Sequence, residues 1–167
     1  MLLAIYLNDH LAGATVGREL ARRTAASNRL TSHGPVLTEL AREISEDRES
    51  LLRIMAALDV RVDTVKVWLA WLGEKLGRLK LNGQLRGYSP MSRVVELEGL
   101  TLGVTGKRAG WQTLKLLQPQ LPALESFDLD ELERRADDQL HRLEARRREA
   151  VDTAFPDPRS QRFEERV

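Results

Sequence analysis

Residues 35–58 read PVLTELAREISEDRESLLRIMAAL, and this stretch decides the fold. Val36 or Leu37, Leu40, Ile44, Leu51, Met55 and Leu58 recur at the spacing that lays a stripe along one side of an α-helix. Charged residues take many of the other positions, among them Glu39, Arg42, Glu46, Glu49 and Arg53, so such a helix is stable only when its apolar side is buried against another element. The cluster Thr31-Ser32-His33-Gly34-Pro35 marks its start, with proline at a first helical position where the missing N–H is not needed. One acidic residue interrupts the stripe: Asp47 stands between Ile44 and Leu51, with Glu46 and Glu43 beside it.

The flanking sequence repeats the pattern. Upstream, Leu3, Leu7, Leu11 or Ala14, Gly17, Leu20 or Ala21 and Thr24 predict a first helix over about 2–28. Downstream, Asp63 can cap a third helix over roughly 64–81, and Asn82-Gly83 is suited to stop it because both residues tolerate left-handed backbone. Ser89-Pro90 reads as an N-cap followed by a first-turn proline, opening a long fourth helix that Pro119 and Pro122 end. Asp128 and Glu131 have capping-box spacing before a final helix with the stripe Leu132, Ala136, Leu140, Leu143 and Ala150. Its charged flanks suit packing along one edge of a bundle or pairing with a second copy. No stretch alternates as a strand does, and no long repeat is present. The expected fold is therefore all-α, a mostly antiparallel four-helix bundle plus a C-terminal fifth helix, with residues 1–155 as one domain and 156–167 as a loose tail.

Composition narrows the function classes. At 167 residues and 42% hydrophobic content the chain can build one real core. With 26 basic against 25 acidic residues it has no global field to gather polyanions, so neither nucleic acid nor a membrane surface is an expected partner. Absence of cysteine excludes disulfides and thiolate chemistry and fits a cytoplasmic protein. The apolar start, Met1 to Leu7, is far shorter than the ~20 residues a membrane span needs. No Gly-x-Ser-x-Gly elbow and no phosphate-binding glycine loop occurs, and Ser89 and Ser92 read as capping residues.

A few residues could carry chemistry. His10 has Leu3, Tyr6, Leu7, Ala14 and Gly17 around it at helical offsets, which places it on or beside the buried side. Asp47, Glu46, Glu74, Glu96 and Glu98 come from other helices, and several carboxylates with one His can meet in a bundle core as metal ligands. The competing reading for His10 and Asp47 is a buried polar network, satisfied by each other, by Arg48 or by a backbone carbonyl. Glu96 and Glu98 can equally pair with Arg78, Arg93 or Lys107. Arg86, Tyr88 and Arg93 bracket the start of the fourth helix, whose free N–H groups favour an anion such as phosphate. His33 and His141 read as exposed. The glycine pairs Gly13/Gly17, Gly73/Gly77 and Gly99/Gly103, each glycine costing up to about 1 kcal/mol against alanine, suggest close helix crossings or room for bulky neighbours.

The stretches Tyr6-Leu-Asn-Asp-His10-Leu-Ala-Gly-Ala-Thr-Val-Gly-Arg-Glu19-Leu and Gly73-Glu-Lys-Leu-Gly-Arg-Leu-Lys-Leu-Asn-Gly83, with Tyr88-Ser-Pro90 and Glu96-Leu-Glu98, resemble the ferritin-like superfamily, in particular its uncharacterised bacterial members. The resemblance covers about three quarters of the chain and implies a ferritin-like bundle. It also implies, for members that bind iron or manganese, Glu-x-x-His pairs on two helices; this chain has none, and Asp138-Gln-Leu-His141 is its nearest substitute. The expected role is accordingly a structural or protein-interaction module without enzymatic activity or cofactor, partnered by itself as a homodimer or by another protein. The alternatives are a di-iron-type oxidoreductase with His10, Asp47, Glu98, Glu46 and Glu74 as ligands, and an anion-binding module at Arg86, Tyr88 and Arg93.

Overall fold

The structure, a computed structural model, describes residues 2–64 and 88–156. Four long helices carry it: α1 (Leu2–Ser27), α2 (Gly34–Ala57), α3 (Pro90–Leu117) and α4 (Leu129–Ala154), with two short 3-10 turns, Gln118–Gln120 and Pro122–Leu124, between the last two. The expected third helix over 64–81 and the expected tail from 157 on lie outside the described residues.

Local chemistry sets the helix ends. The Ser89 hydroxyl accepts from the Ser92 N–H at 3.1 Å, and Asp128 accepts from the Glu131 N–H at 2.8 Å, so both expected caps form. Between α1 and α2 the chain turns so tightly that a Cβ on Gly34 would stand 2.7 Å from the carbonyl oxygen of Arg29; only glycine fits there.

Side-chain contacts give the directions. Along α1 and α3, Asn28 meets Arg93, Arg23 meets Glu96, Leu20 meets Gly99, His10 meets Gly110 and Tyr6 meets Thr113, an antiparallel order. Along α3 and α4, Glu98 faces Arg147, Arg108 faces Asp137 and Lys115 faces Glu133, again antiparallel. Glu43 with Arg142 and Asp47 with Arg135 bring α2 antiparallel to α4. The four helices thus form a ring in the order α2, α1, α3, α4. Leu7, Leu11, Leu37, Leu40, Ile54, Met55, Leu97, Leu114 and Leu143 fill its centre and are almost fully buried. Each such side chain contributes about 1.5–3 kcal/mol by leaving water.

Among the described residues the final helix is one of the four that form the ring, not a peripheral addition to it. It packs along α3 over its length, and its Ala136, Gln139, Leu143 and Ala150 are fully buried. Its charged flanks misled the sequence reading because Arg135 and Arg142 face the carboxylates of α2 rather than solvent.

One connection in this ring is not short. The Asn8 side chain bonds the Arg61 carbonyl and the Asp63 N–H near the start of α1, whereas Tyr88 bonds Asn28 at its end. These two anchor points lie about 30 Å apart along the helix, roughly twenty residues at 1.5 Å each. The described end of the segment after α2 and the described start of α3 therefore sit at opposite ends of the bundle, and α2 and α3 run parallel.

Candidate functional site

A cavity of about 420 Å³ opens between α1 and α3. Leu7, Ile44, Leu51, Leu100, Val104, Trp111 and Leu114 supply its apolar wall. Glycine supplies much of the rest: Gly13 and Gly17 from α1, Gly103, Gly106 and Gly110 from α3. A Cβ placed on Gly13, Gly17, Gly103 or Gly106 would meet nothing within 4 Å. These glycines do not mark close helix crossings; they widen a groove. Gly110 differs, because a Cβ there would stand 3.0 Å from the His10 ring. The imidazole lies across that bare backbone with the Tyr6 ring tilted against its other side, centroids 4.4 Å apart. Tyr6 is held in turn by its hydroxyl on Thr113 at 3.0 Å. Burial pulls the His10 pKa below its usual value, against the opposing charge of Asp9, so the ring is neutral at pH 7.

Polar groups converge on one side of the cavity. Lys107 and Asp47 both line it, Asp47 with 1% of its side chain exposed and Lys107 with 14%. Asp47 accepts from the Lys107 ammonium, the Arg135 guanidinium and, at 3.1 Å, the Gln139 amide. Gln139, fully buried on α4, also donates to Glu43 at 3.0 Å and accepts from Lys107. Glu43 is closed off by Arg142. Burial pulls the Lys107 pKa below the ordinary lysine value, with Asp47 opposing that shift. The Trp111 indole N–H is buried and has no hydrogen-bond partner among the described residues.

The sequence-predicted residues separate. His10 and Asp47 both reach the cavity, but the partners of Asp47 are Lys107, Arg135 and Gln139, not His10 and not Arg48, whose guanidinium bonds Thr15 and Glu49. Glu46 points outward and pairs with Arg42, and Glu98 is 52% exposed beside Arg147. Glu96 pairs with Arg23 and accepts from Tyr88, rather than meeting Arg93 or Lys107. Glu74 lies outside the described residues. Among the described residues no three His, Asp or Glu side chains come together as a metal site. Asp47 is already engaged by two cations and an amide. Among the described residues, the carboxylates brought together thus form an ion-pair network rather than a set of metal ligands.

At the start of α3 the expected anion-binding residues are turned to each other. Arg93 donates to Asn28 at 2.6 Å and stacks on Tyr88, while Tyr88 bonds both Asn28 and Glu96. Burial first, and then the charge of Glu96, push the Tyr88 pKa up to about 12. Arg86 lies outside the described residues. His33 corrects a second expectation: it is buried, 4% exposed, where Glu149 and Arg146 of α4 and Arg93 of α3 close over the α1–α2 turn. His141 is exposed as expected and bonds the Asp137 carbonyl of its own helix.

Lys107, read from the sequence only as a partner for Glu96 or Glu98, and Gln139, not singled out there, carried a signal of burial. Each is a long polar residue placed at helical spacing between residues that are buried, Val104 and Trp111 for one, Ala136 and Leu143 for the other.

No described helix is long and apolar enough to cross a membrane. Comparison with protein-family models, curated proteins and solved structures finds no match to this chain.

Proposed function

We propose that this chain is a binding module of ferritin-like topology that holds a small apolar molecule in the cavity between α1 and α3. The observation that carries the reading is a 420 Å³ space with an apolar wall and a few converging polar groups, which is the size and make-up of small-ligand sites between the helices of bundles. The topology supports the fold assignment: antiparallel neighbours with one long crossover between the second and third bundle helices is the ferritin-like arrangement. The binding reading replaces metal chemistry with the same bundle interior used for packing a guest. Its test is a titration with the neutral fluorophore N-phenylnaphthylamine. Saturable one-to-one enhancement is expected, and Gly106→Leu should abolish it by filling the groove while improving helix propensity. Absence of saturable binding to the wild-type chain overturns the proposal.

A second reading, the protein-interaction module with a second copy as partner, has its own observation. Leu2, Leu102 and Leu116 stand more than three-quarters exposed on α1 and α3, the same two helices that flank the cavity. A mass in solution that stays monomeric at high concentration removes it.

A further inference from the structure

We infer that the guest of this cavity is a neutral apolar molecule carrying one hydroxyl, a phenol or an alcohol, and that this hydroxyl bonds the His10 imidazole. The inference rests on the cavity being a ligand site, as proposed above, and adds the group by which the guest is recognised.

Elimination among the polar side chains of the wall points to His10. Among the described residues these are Tyr6, Asp9, His10, Asp47, Lys107 and Trp111. The Tyr6 hydroxyl is taken by Thr113. Asp47 accepts from Lys107, Arg135 and Gln139, and the Lys107 ammonium donates to Asp47 and Gln139. The Trp111 N–H is sealed by the packing around it, and Asp9 is exposed at the mouth, where water solvates it. His10 differs from all of these. Neither ring nitrogen bonds another described residue, and neither is shut off from solvent. The ring is nevertheless fixed, laid on the bare backbone of Gly110 with Tyr6 tilted against it. It is a placed hydrogen-bonding group in a wall otherwise made mostly of aliphatic side chains and glycine.

Charge decides that the guest is neutral. The charged side chains of the wall are two carboxylates, Asp9 and Asp47, against one ammonium, Lys107. An acid therefore enters against a net negative wall, and an amine finds the buried carboxylate, Asp47, already engaged by two cations. Hydrogen-bond capacity decides that the polar group is a hydroxyl. Burial keeps His10 neutral at pH 7, so its ring has one N–H donor and one bare nitrogen that accepts. A hydroxyl donates and accepts and can meet either nitrogen, whereas an ether or a ketone can meet only the N–H. The rest of the guest is dictated by the aliphatic and glycine walls, which reward hydrocarbon and offer it little to bond.

The test uses the full chain and three matched probes, 4-propylphenol, propylbenzene and 4-propylbenzoate, each competing with N-phenylnaphthylamine at neutral pH. Propylphenol is expected to displace the fluorophore at a concentration on the order of fivefold lower than propylbenzene, and propylbenzoate to be the weakest. His10→Phe keeps a ring between Gly110 and Tyr6 but removes both nitrogens. There the preference should vanish or reverse, because a hydroxyl without a partner gives up its hydration and gains nothing in return. His10→Leu, which is smaller than the ring, is expected to behave alike, and Lys107→Met to retain the preference. Equal displacement by propylphenol and propylbenzene in the wild-type chain, or strongest displacement by propylbenzoate, overturns the inference while leaving the cavity reading intact. A preference that persists in the His10 variants also overturns it, because the hydroxyl is then held elsewhere. No saturable fluorophore binding to the wild-type chain is a failure of the cavity reading itself.

Discussion

The α1–α3 face and the α2–α4 seam join the same bundle and close in opposite ways. Across α2 and α4, long side chains reach over the gap: Glu43 and Asp47 meet Gln139, Arg135 and Arg142, and the seam is filled with charge-assisted hydrogen bonds. Across α1 and α3, side chains are withheld. Glycines stand where a bundle would carry leucine or alanine, and a cavity remains. Both solutions cost stability relative to a plain apolar seam, one through desolvated charge and the other through weak helix formers and unfilled volume. Lys107 belongs to both, since it lines the cavity and is held by Asp47. The bundle has therefore placed its only described buried lysine at the point where its polar seam and its open groove touch.

The sharpest way to break this contrast is Asp47→Ala. Removing the shared carboxylate leaves Lys107 and Arg135 side by side without it, and the expected loss is about 3 kcal/mol in urea unfolding. Lys107→Met should cost less, about 1 kcal/mol, because Arg135 continues to satisfy Asp47. Comparable losses for the two variants would mean that the seam is held by packing, not by its charge balance.

Next in size is a pair of glycine substitutions on α3. Gly106→Ala meets nothing, so helix propensity should raise stability by up to about 1 kcal/mol. Gly110→Ala presses its Cβ on the His10 ring at 3.0 Å, and that ring is backed by Tyr6; overpacking of about 1–3 kcal/mol then outweighs the same propensity gain. The two are expected to differ in sign. If Gly110→Ala is as stable as Gly106→Ala, the imidazole is free to swing into the cavity and is not fixed as one of its walls.

Sequence reading went furthest where the physics is local. Ser89 and Asp128 could be recognised as caps because an N-cap bonds N–H groups only three residues on. The stripe in α2 told that Asp47 is buried, since its neighbours on the helix fix its direction. Its partners were beyond reach: Lys107 is 60 residues away and Arg135 is 88, and periodicity carries no information about which helix faces which. His33 shows the same limit. A Gly-Pro turn looks exposed by itself, and only the docking of α4, with Arg146 and Glu149, covers it. The glycines of α1 and α3 announced something unusual, but a gap and a tight crossing need the same residue, so sequence could not choose between them.

His33 gives a smaller, pH-dependent prediction. Burial, and then the charge of Arg93, hold its pKa below 6.5, with Glu149 opposing them and Arg146 adding to them. The unfolded chain therefore binds more protons than the folded one between the folded-state pKa and 6.5, and stability rises with pH across that window. His33 costs nothing above 6.5 and its penalty is complete below the folded value. His10 titrates in the same direction. Melting temperature should fall on acidification through this range, and His33→Gln should flatten part of the fall; an unchanged pH profile in the variant would show that His33 is not the group being charged.

The smallest effect expected is also the one that bears most directly on metal chemistry. Glu46 and Glu98 lie about half exposed, paired among the described residues with Arg42 and with Arg147 at 3.9 Å. Exposed pairs of this kind contribute less than about 1 kcal/mol, so Glu46→Ala and Glu98→Ala should each leave stability within about 0.5 kcal/mol of the parent. A resident metal would give a different pattern, because a ligand-bound ion stabilises only the folded state and its loss is felt at every one of its ligands. Elemental analysis of chain purified without chelator, together with the two melting temperatures, separates the cases. Stoichiometric metal that disappears in Glu98→Ala, with a large drop in melting temperature, would mean that the surface carboxylates turn inward to bind it. Unchanged melting would leave the bundle's polar chemistry where the packing puts it, at Asp47 and Lys107.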